Sequence, residues 1–345
     1  MKAAFLTGPG RIEVRDGPAP EIKQDRDVLV RVKTVGICGS DLHYFAEPVV
    51  GDTVMTYPVV LGHECAGVVE KIGPGVARVK PGDRVAVEPA ASCGTCDQCR
   101  AGRFNTCRSI SFLGHPKERT GALAELIVVP EESLFAIGAR MTFAQATLAE
   151  PLSIALHSVN LAGALEGKTV AILGSGPIGL SIGLAARLVK AASVDMTDKI
   201  DDRVAAARTK AGARWTGNPL KTDVVREILA LEPDGVDIVF ECCGKQEAVD
   251  QAVEVLKPGG TLLLVGIPLD RRVSFDISRL RRRELRIQNV RRQNQCVGEA
   301  LRLIAEGCLD LDFMATHTFP LAETQAAFET AFHYRNGVIK TLVAP

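Results

Sequence analysis

The chain has no excess of charge of either sign: lysine plus arginine and aspartate plus glutamate number 41 each. No bulk field is therefore available to gather nucleic acid or an anionic membrane surface, and neither is expected as a partner. Long apolar runs are missing too. Charged residues, glycine or proline interrupt every hydrophobic stretch well short of the ~18–20 residues that span a bilayer. The opening MKAAFLTGPGRIEV lacks the apolar segment of ~7–15 residues that a secretory leader carries after its basic start. These absences predict a cytoplasmic location and no membrane contact. Low-complexity tracts are absent, as are internal repeats beyond the strand–helix units described below.

What is present is ordinary globular composition, 46% hydrophobic and 24% charged over 345 residues, enough for ample core and two domains. Ten cysteines are many for a cytosolic chain. A disulfide scaffold belongs to small secreted chains, so metal binding is the better reading of their clustering.

The first third reads as β-rich. Strand-like residues on either side of Gly8-Pro9-Gly10 suggest a hairpin, and residues 28–33 (VLVRVK) alternate as a half-buried strand should. Residues 142–163 hold few breakers and read as a helix. From Lys168 the pattern changes to strand–helix alternation: TVAILGSG, then PIGLSIGLAARLVK; ASVDMTD, then DDRVAAARTKAGA; VDIVFECCG as a third strand, then EAVDQAVEVLK and TLLLVGI. Such alternation argues for a parallel, doubly wound α/β sheet. It stops at about Leu285, and GEALRLIAEG reads as one later helix.

Gly174-Ser175-Gly176-Pro177-Ile178-Gly179 follows a strand and opens a helix. Glycines at these positions permit a tight turn, close backbone approach to a pyrophosphate and close helix–strand packing, with the diphosphate on the helix N-terminus. Asp198 ends the next strand about 20 residues on, where a carboxylate binds ribose hydroxyls and repels a 2′-phosphate. The cofactor expected is NAD, with Lys199 and Arg203 close enough to soften the discrimination against NADP. Asp195 is the competing acid, placed inside the strand; a packing turn with Asp198 as a cap is the bland alternative.

Cys93, Cys96, Cys99 and Cys107 have the spacing that closes a tetrahedron of thiolates around zinc, leaving no position open for substrate. Cys38, His63 and Glu64, with Glu150 further on, form a second constellation, each member in a segment flanked by breakers. One sulfur, one imidazole and one or two carboxylates match an open catalytic zinc site. Taken singly, Cys38 or His63 is more often a core residue than a ligand.

At these residues the sequence resembles the zinc-containing medium-chain dehydrogenase/reductase family along essentially its whole length. Gly62-His63-Glu64-x2-Gly67-x5-Gly73-x2-Val76 looks like the zinc signature of that family. Cys38-Gly39-Ser40-Asp41-Leu42-His43-Tyr44 and Glu150-Pro151-Leu152 look most like its polyol branch, the sorbitol, xylitol and arabinitol dehydrogenases. The resemblance implies a GroES-like β-rich catalytic domain (1–154 and 288–345, with a structural zinc lobe at 88–110) and a Rossmann NAD-binding domain (155–287). It implies two zincs per subunit: one catalytic, held by Cys38, His63 and Glu64 with Glu150 as a ligand or bonded through the zinc water, and one structural. It further implies that Ser40 and His43 pass the substrate proton outward, that Tyr44 and Phe112 line the substrate pocket, and that Arg292 meets the polyol. The expected reaction is oxidation of a secondary alcohol to the ketone or ketose through a zinc alkoxide and hydride transfer, in a homo-oligomer, tetramer or dimer. The alternative is an L-threonine 3-dehydrogenase-like or simple secondary-alcohol dehydrogenase.

Two features depart from the polyol pattern. The four-cysteine lobe is complete, whereas some polyol dehydrogenases lack it, and Gln293 stands where the sorbitol enzymes carry tyrosine. His115, His157, His317 and His333 have no partner pattern and read as satisfied surface or core residues. Cys242-Cys243 reads as core packing, and the basic run at 279–286 as a solvated face.

Overall fold

The computed structural model describes residues 1–269 and 272–345. They divide into two compact units, one of Met1–Glu150 with Val297–Pro345, the other of Pro151–Cys296.

The first unit is built on a seven-stranded sheet centred on the strand Asp27–Gly36. This strand pairs antiparallel with Glu64–Ile72, Leu126–Pro130 and the last strand of the chain, Lys340–Ala344. Val28, Leu29, Val30, Val32 and Val35 are all buried. The alternation in VLVRVK is that of a half-buried strand, as expected: Val28, Val30 and Val32 face the core, while on the other face Arg31 is half-buried and Lys33 exposed beside a buried Leu29. The expected hairpin is formed by Lys2–Gly8 and Arg11–Asp16. The core gathers the β-branched residues of these strands around Leu61, Leu123 and Phe328.

The second unit carries six parallel strands: Thr169–Leu173, Ser193–Thr197, Trp215–Gly217, Val236–Glu241, Leu256–Leu264 and Arg286–Asn289. Counted along the chain they stand in the order 3-2-1-4-5-6. This is a doubly wound sheet whose order reverses beside the first strand, the place where such sheets bind dinucleotides. Two expectations change. Trp215–Gly217 and the helix Val224–Leu231 intervene before VDIVFECCG, making that strand the fourth. Alternation also continues past Leu285, because the helix Ile277–Arg283 leads into the parallel edge strand Arg286–Asn289.

The helix Phe143–Ala162 runs through Glu150-Pro151 without ending. Pro151 removes one backbone donor, but the helix is long and buried enough to continue, so Glu150 projects from a helix and not from a break. Among the described residues no helix is long and apolar enough to cross a membrane.

Candidate functional site

Cys38 caps the helix Gly39–Ala46, and His63 immediately precedes the strand Glu64–Ile72, which Glu64 begins. The register opposes Gly36 to Glu64, and a Cβ at Gly36 would run into the Glu64 carboxylate, so only glycine leaves room there. Sγ of Cys38, a ring nitrogen of His63 and a carboxylate oxygen of Glu64 lie within 4.8 Å of one another. A thiolate, an imidazole and a carboxylate at that spacing suit a zinc ion with an open coordination position.

Two buried residues that the motifs did not assign organise this group. Asp41 accepts the backbone N–H of Cys38 (3.0 Å) and of Gly62 (3.3 Å), and its Oδ1 faces His63 Nδ1 at 3.5 Å. Burial would raise the Asp41 pKa, but His63 and these hydrogen bonds hold it below the usual carboxylate range. Burial likewise opposes charge on His63, yet Asp41 and Cys38 raise its pKa well above the ordinary value. A carboxylate on Nδ1 fixes the tautomer and leaves Nε2 to face a metal. Lys340, from the last strand, donates to Ile37 O (3.0 Å) and to both oxygens of Glu64 (2.7 Å each). Glu64 and Lys340 are 1% and 3% exposed, so neither charge is compensated by water. Asp41 lies inside the quoted motif and was legible there as an acid three residues from Cys38; nothing local signals Lys340.

Glu150 is buried but is not among the donors gathered within 4.8 Å. Burial, with the negative charges of Glu64 and Glu88, pushes its pKa up to about 8, against the pull of His63 and Lys340. Ser40 and His43, three apart on the helix Gly39–Ala46, share one face and are each part-exposed. The Phe112 ring lies 5.0 Å from that of His63, and Tyr44 meets His115 edge-on.

Cys93, Cys96, Cys99 and Cys107 also bring their sulfurs within 4.8 Å of one another. The pairs Cys96–Cys99, Cys96–Cys107 and Cys93–Cys99 stand 3.6, 3.9 and 4.0 Å apart. A zinc tetrahedron with ~2.3 Å bonds has S···S edges of about 3.8 Å. Backbone N–H groups of Cys93 and Ser109 donate to Cys107 Sγ, and the Thr95 hydroxyl to Cys93 Sγ. Hydrogen bonds from Thr95 lower the Cys93 pKa to about 6, while burial raises that of Cys99 to about 11. Bidentate pairing of Arg108 with Asp97 ties the lobe together at its surface.

In the second unit, Gly174 takes φ +109, and a Cβ there would press on Cys243 Sγ at 2.9 Å. Gly176 caps the helix Pro177–Leu188, which starts with Pro177 and Ile178. A Cβ on Gly179 would collide with the Gly174 carbonyl. Asp198 lies just past the second strand and accepts the N–H of Ser175 (2.8 Å) and of Ile200 (2.9 Å). It therefore fastens the glycine turn, and each carboxylate oxygen retains a lone pair for a ribose hydroxyl. Asp195 is buried within the strand and paired with Arg214. Arg203 Nη1 stands 3.4 Å from where a Gly176 Cβ would be, a cation at the mouth of the turn.

Cys243 donates to Leu173 O (3.1 Å) but is exposed, and Cys242 is half-buried, so the pair ends the strand at the surface and is not core as expected. Arg283 donates to the carbonyls of Val253, Glu254 and Leu256, so part of the basic run caps a neighbouring helix end. Arg292 takes the left-handed backbone (φ +51), and Gln293 Oε1 accepts the Cys296 N–H at 2.7 Å.

Residues 24–139 match the family profile described as alcohol dehydrogenase GroES-like domain, and residues 177–306 that described as zinc-binding dehydrogenase. A sorbitol dehydrogenase of Bacillus subtilis is 35% identical, over 100% of this chain and 97% of that protein. A probable D-xylulose reductase A of Arthroderma otae is 34% identical, over 98% and 96% respectively. Among solved structures, a putative zinc-binding dehydrogenase from Sinorhizobium meliloti bound to NADP superposes with a TM-score of 0.91. It is 35% identical, over 100% of this chain and 99% of that one.

Proposed function

The chain belongs to the zinc-containing medium-chain dehydrogenase/reductase family and is an NAD-dependent zinc oxidoreductase, and on that premise we propose that it oxidises a secondary hydroxyl of a sugar alcohol to the ketose. The GroES-like β-rich unit bears the metal donors, and the Rossmann unit the cofactor turn. The observation that carries the reading is the Cys38–His63–Glu64 group with the buried carboxylate of Glu150 nearby: the donor set suits zinc, and the extra carboxylate suits a substrate with a second hydroxyl. The full-length similarity to a sorbitol dehydrogenase and a D-xylulose reductase supports the same class.

Bound by Cys38, His63 and Glu64, zinc supplies Lewis acidity that lowers the pKa of an alcohol, as it lowers that of water from ~15.7 to ~7. The residues around it do the rest. Asp41 holds His63 with Nε2 forward, and Lys340 fixes the direction of Glu64. Ser40 Oγ receives the substrate proton and His43 conducts it outward, a hydroxyl–imidazole relay suited to neutral pH. Glu150 accepts a hydrogen bond from the neighbouring hydroxyl, favouring vicinal diols. Phe112 and Tyr44 wall the pocket, and Arg292 meets the far hydroxyls. Gly174, Gly176 and the N-terminus of the helix begun by Pro177, Ile178 and Gly179 would hold the diphosphate of NAD, whose nicotinamide would supply the hydride acceptor. Asp198 binds the adenosine ribose and disfavours NADP, while Arg203 moderates that preference. Cys93, Cys96, Cys99 and Cys107 would hold a second zinc with four thiolates, leaving no position for substrate. The edge strand Arg286–Asn289 supports assembly through the Rossmann sheet into a dimer or tetramer.

The test is initial NADH formation on sorbitol, xylitol and arabinitol beside 2-butanol and L-threonine, with NADP in parallel. The expected result is a polyol preferred over both, and NAD over NADP. Faster turnover of 2-butanol or threonine moves the substrate to the simple-alcohol or threonine class.

A further inference from the structure

His115 has no ligand pattern in the sequence, yet the fold holds its ring beside the metal donors. Gly114 takes φ +75, and a Cβ there would stand 2.7 Å from the Gly62 carbonyl, so the 112–115 turn is pressed against the residue preceding His63. Phe112, three residues earlier, lies on the His63 ring. On the other side, Tyr44 meets His115 edge-on, with ring centroids 6.0 Å apart at 89°. Tyr44 is six residues beyond Cys38 on the helix that Cys38 caps, about 9 Å along its axis at ~1.5 Å per residue. His115 thus lies between the two elements that carry the Cys38 and His63 donors, against Tyr44 and in the same turn as Phe112, the two rings assigned above to the substrate pocket.

Each ring nitrogen faces one polar neighbour. Nδ1 lies 3.3 Å from Glu118 Oε1, and Nε2 lies 3.4 Å from Thr53 Oγ1. The Glu118 N–H donates to the His115 carbonyl at 3.0 Å, so the carboxylate that orients the ring is fixed by the same turn. The His115 side chain is 19% exposed, leaving the ring and the hydroxyls of Tyr44 and Thr53 as a compact set of donors and acceptors. With Glu118 ionised, the pair is neutral or negative in either state of the imidazole, which is unsuited to a phosphate group.

We propose that His115, oriented by Glu118, is a specificity-determining residue whose Nε2 exchanges its long 3.4 Å contact with Thr53 for a hydrogen bond to a substrate hydroxyl beyond the reacting one, selecting uncharged polyols over short alcohols and over phosphorylated sugar alcohols. This rests on the polyol reading above. It also supplies the far-end recognition that Gln293, in place of tyrosine, leaves to other residues. A site built to bond hydroxyls discriminates strongly against analogues that lack them, because its polar groups are then left unmatched.

The test compares kcat/KM for xylitol and 2,3-butanediol in the wild type, His115→Ala and His115→Gln, with zinc content and thermal unfolding checked for each. Binding of xylitol to the NADH complex is followed by cofactor fluorescence. The proposal predicts that His115→Ala loses about tenfold on xylitol, mostly in KM and in the binding titration, and less than about twofold on 2,3-butanediol. His115→Gln, which keeps a donor and an acceptor, recovers part of the loss and carries the comparison if the alanine variant does not fold. Parallel losses on both substrates, or no loss on either, overturn the assignment of His115 while leaving polyol oxidation intact. Preference for xylitol 5-phosphate over xylitol in the wild type overturns it too. A wild type that turns over 2,3-butanediol but no polyol overturns both readings.

Discussion

Asp41 and Lys340 set the chemistry of the metal donors without belonging to any metal signature. Each is buried and each neutralises a donor, Asp41 at His63 Nδ1 and Lys340 across both oxygens of Glu64. Removing one member of a buried ion pair strands the other charge, which costs about 3–5 kcal/mol. Lys340→Met is therefore expected to lose stability on that scale in urea unfolding, and Lys340→Met with Glu64→Gln to recover most of it. A loss below about 1 kcal/mol in the single variant would mean that Glu64 is compensated elsewhere. Asp41→Ala is expected to weaken zinc affinity at this site about 10–100-fold with the lobe zinc retained, as read by competition with a chelator. Equal loss of both zincs would instead indicate a folding defect. The four cysteines of the lobe were legible because their ligand spacing is local. Lys340 was not, because it is 276 residues from Glu64 in sequence and only the pairing of the last strand with Asp27–Gly36 joins them.

Among the elements, the strand–turn–helix at 169–188 carries most of its geometry in its glycines. Gly179 packs where a methyl group would strike the Gly174 carbonyl and come within 3.4 Å of Ile172 Cγ2. Backbone cannot move aside as a side-chain tip can, and overpacking of this kind costs ~1–3 kcal/mol. Gly179→Ala is expected to lower thermal stability and to weaken NADH binding, measured by fluorescence titration, by tenfold or more. Unchanged NADH affinity would remove the turn from the cofactor site. This element was legible because its spacing encodes a backbone requirement. Trp215–Gly217 was not, since three residues give no period, and Arg286–Asn289 was hidden because exposed polar residues on a sheet edge do not look like a parallel strand. The helix Phe143–Ala162 was legible from its scarcity of breakers, and it runs through Pro151, so Glu150 sits within it and not in the breaker-flanked segment expected.

For the whole molecule, both ends of the chain build one unit and the middle builds the other. The alternation of strands and helices made the doubly wound sheet readable, while the meeting of the two ends was implied only by resemblance, since no local signal records that Lys340–Ala344 lies against Asp27–Gly36. The central claim is that the molecule keeps two zinc sites apart, a closed one that holds a lobe and an open one that carries the reaction. The measurement that tests it most directly is the zinc content per chain of the wild type, Cys38→Ser and Cys99→Ser, each alongside NAD-linked polyol oxidation and thermal unfolding. The account predicts two zincs in the wild type. Cys38→Ser should hold one, with unchanged unfolding and no oxidation; Cys99→Ser should also hold one, with a lowered unfolding temperature. Full zinc and undiminished oxidation in Cys38→Ser would contradict it.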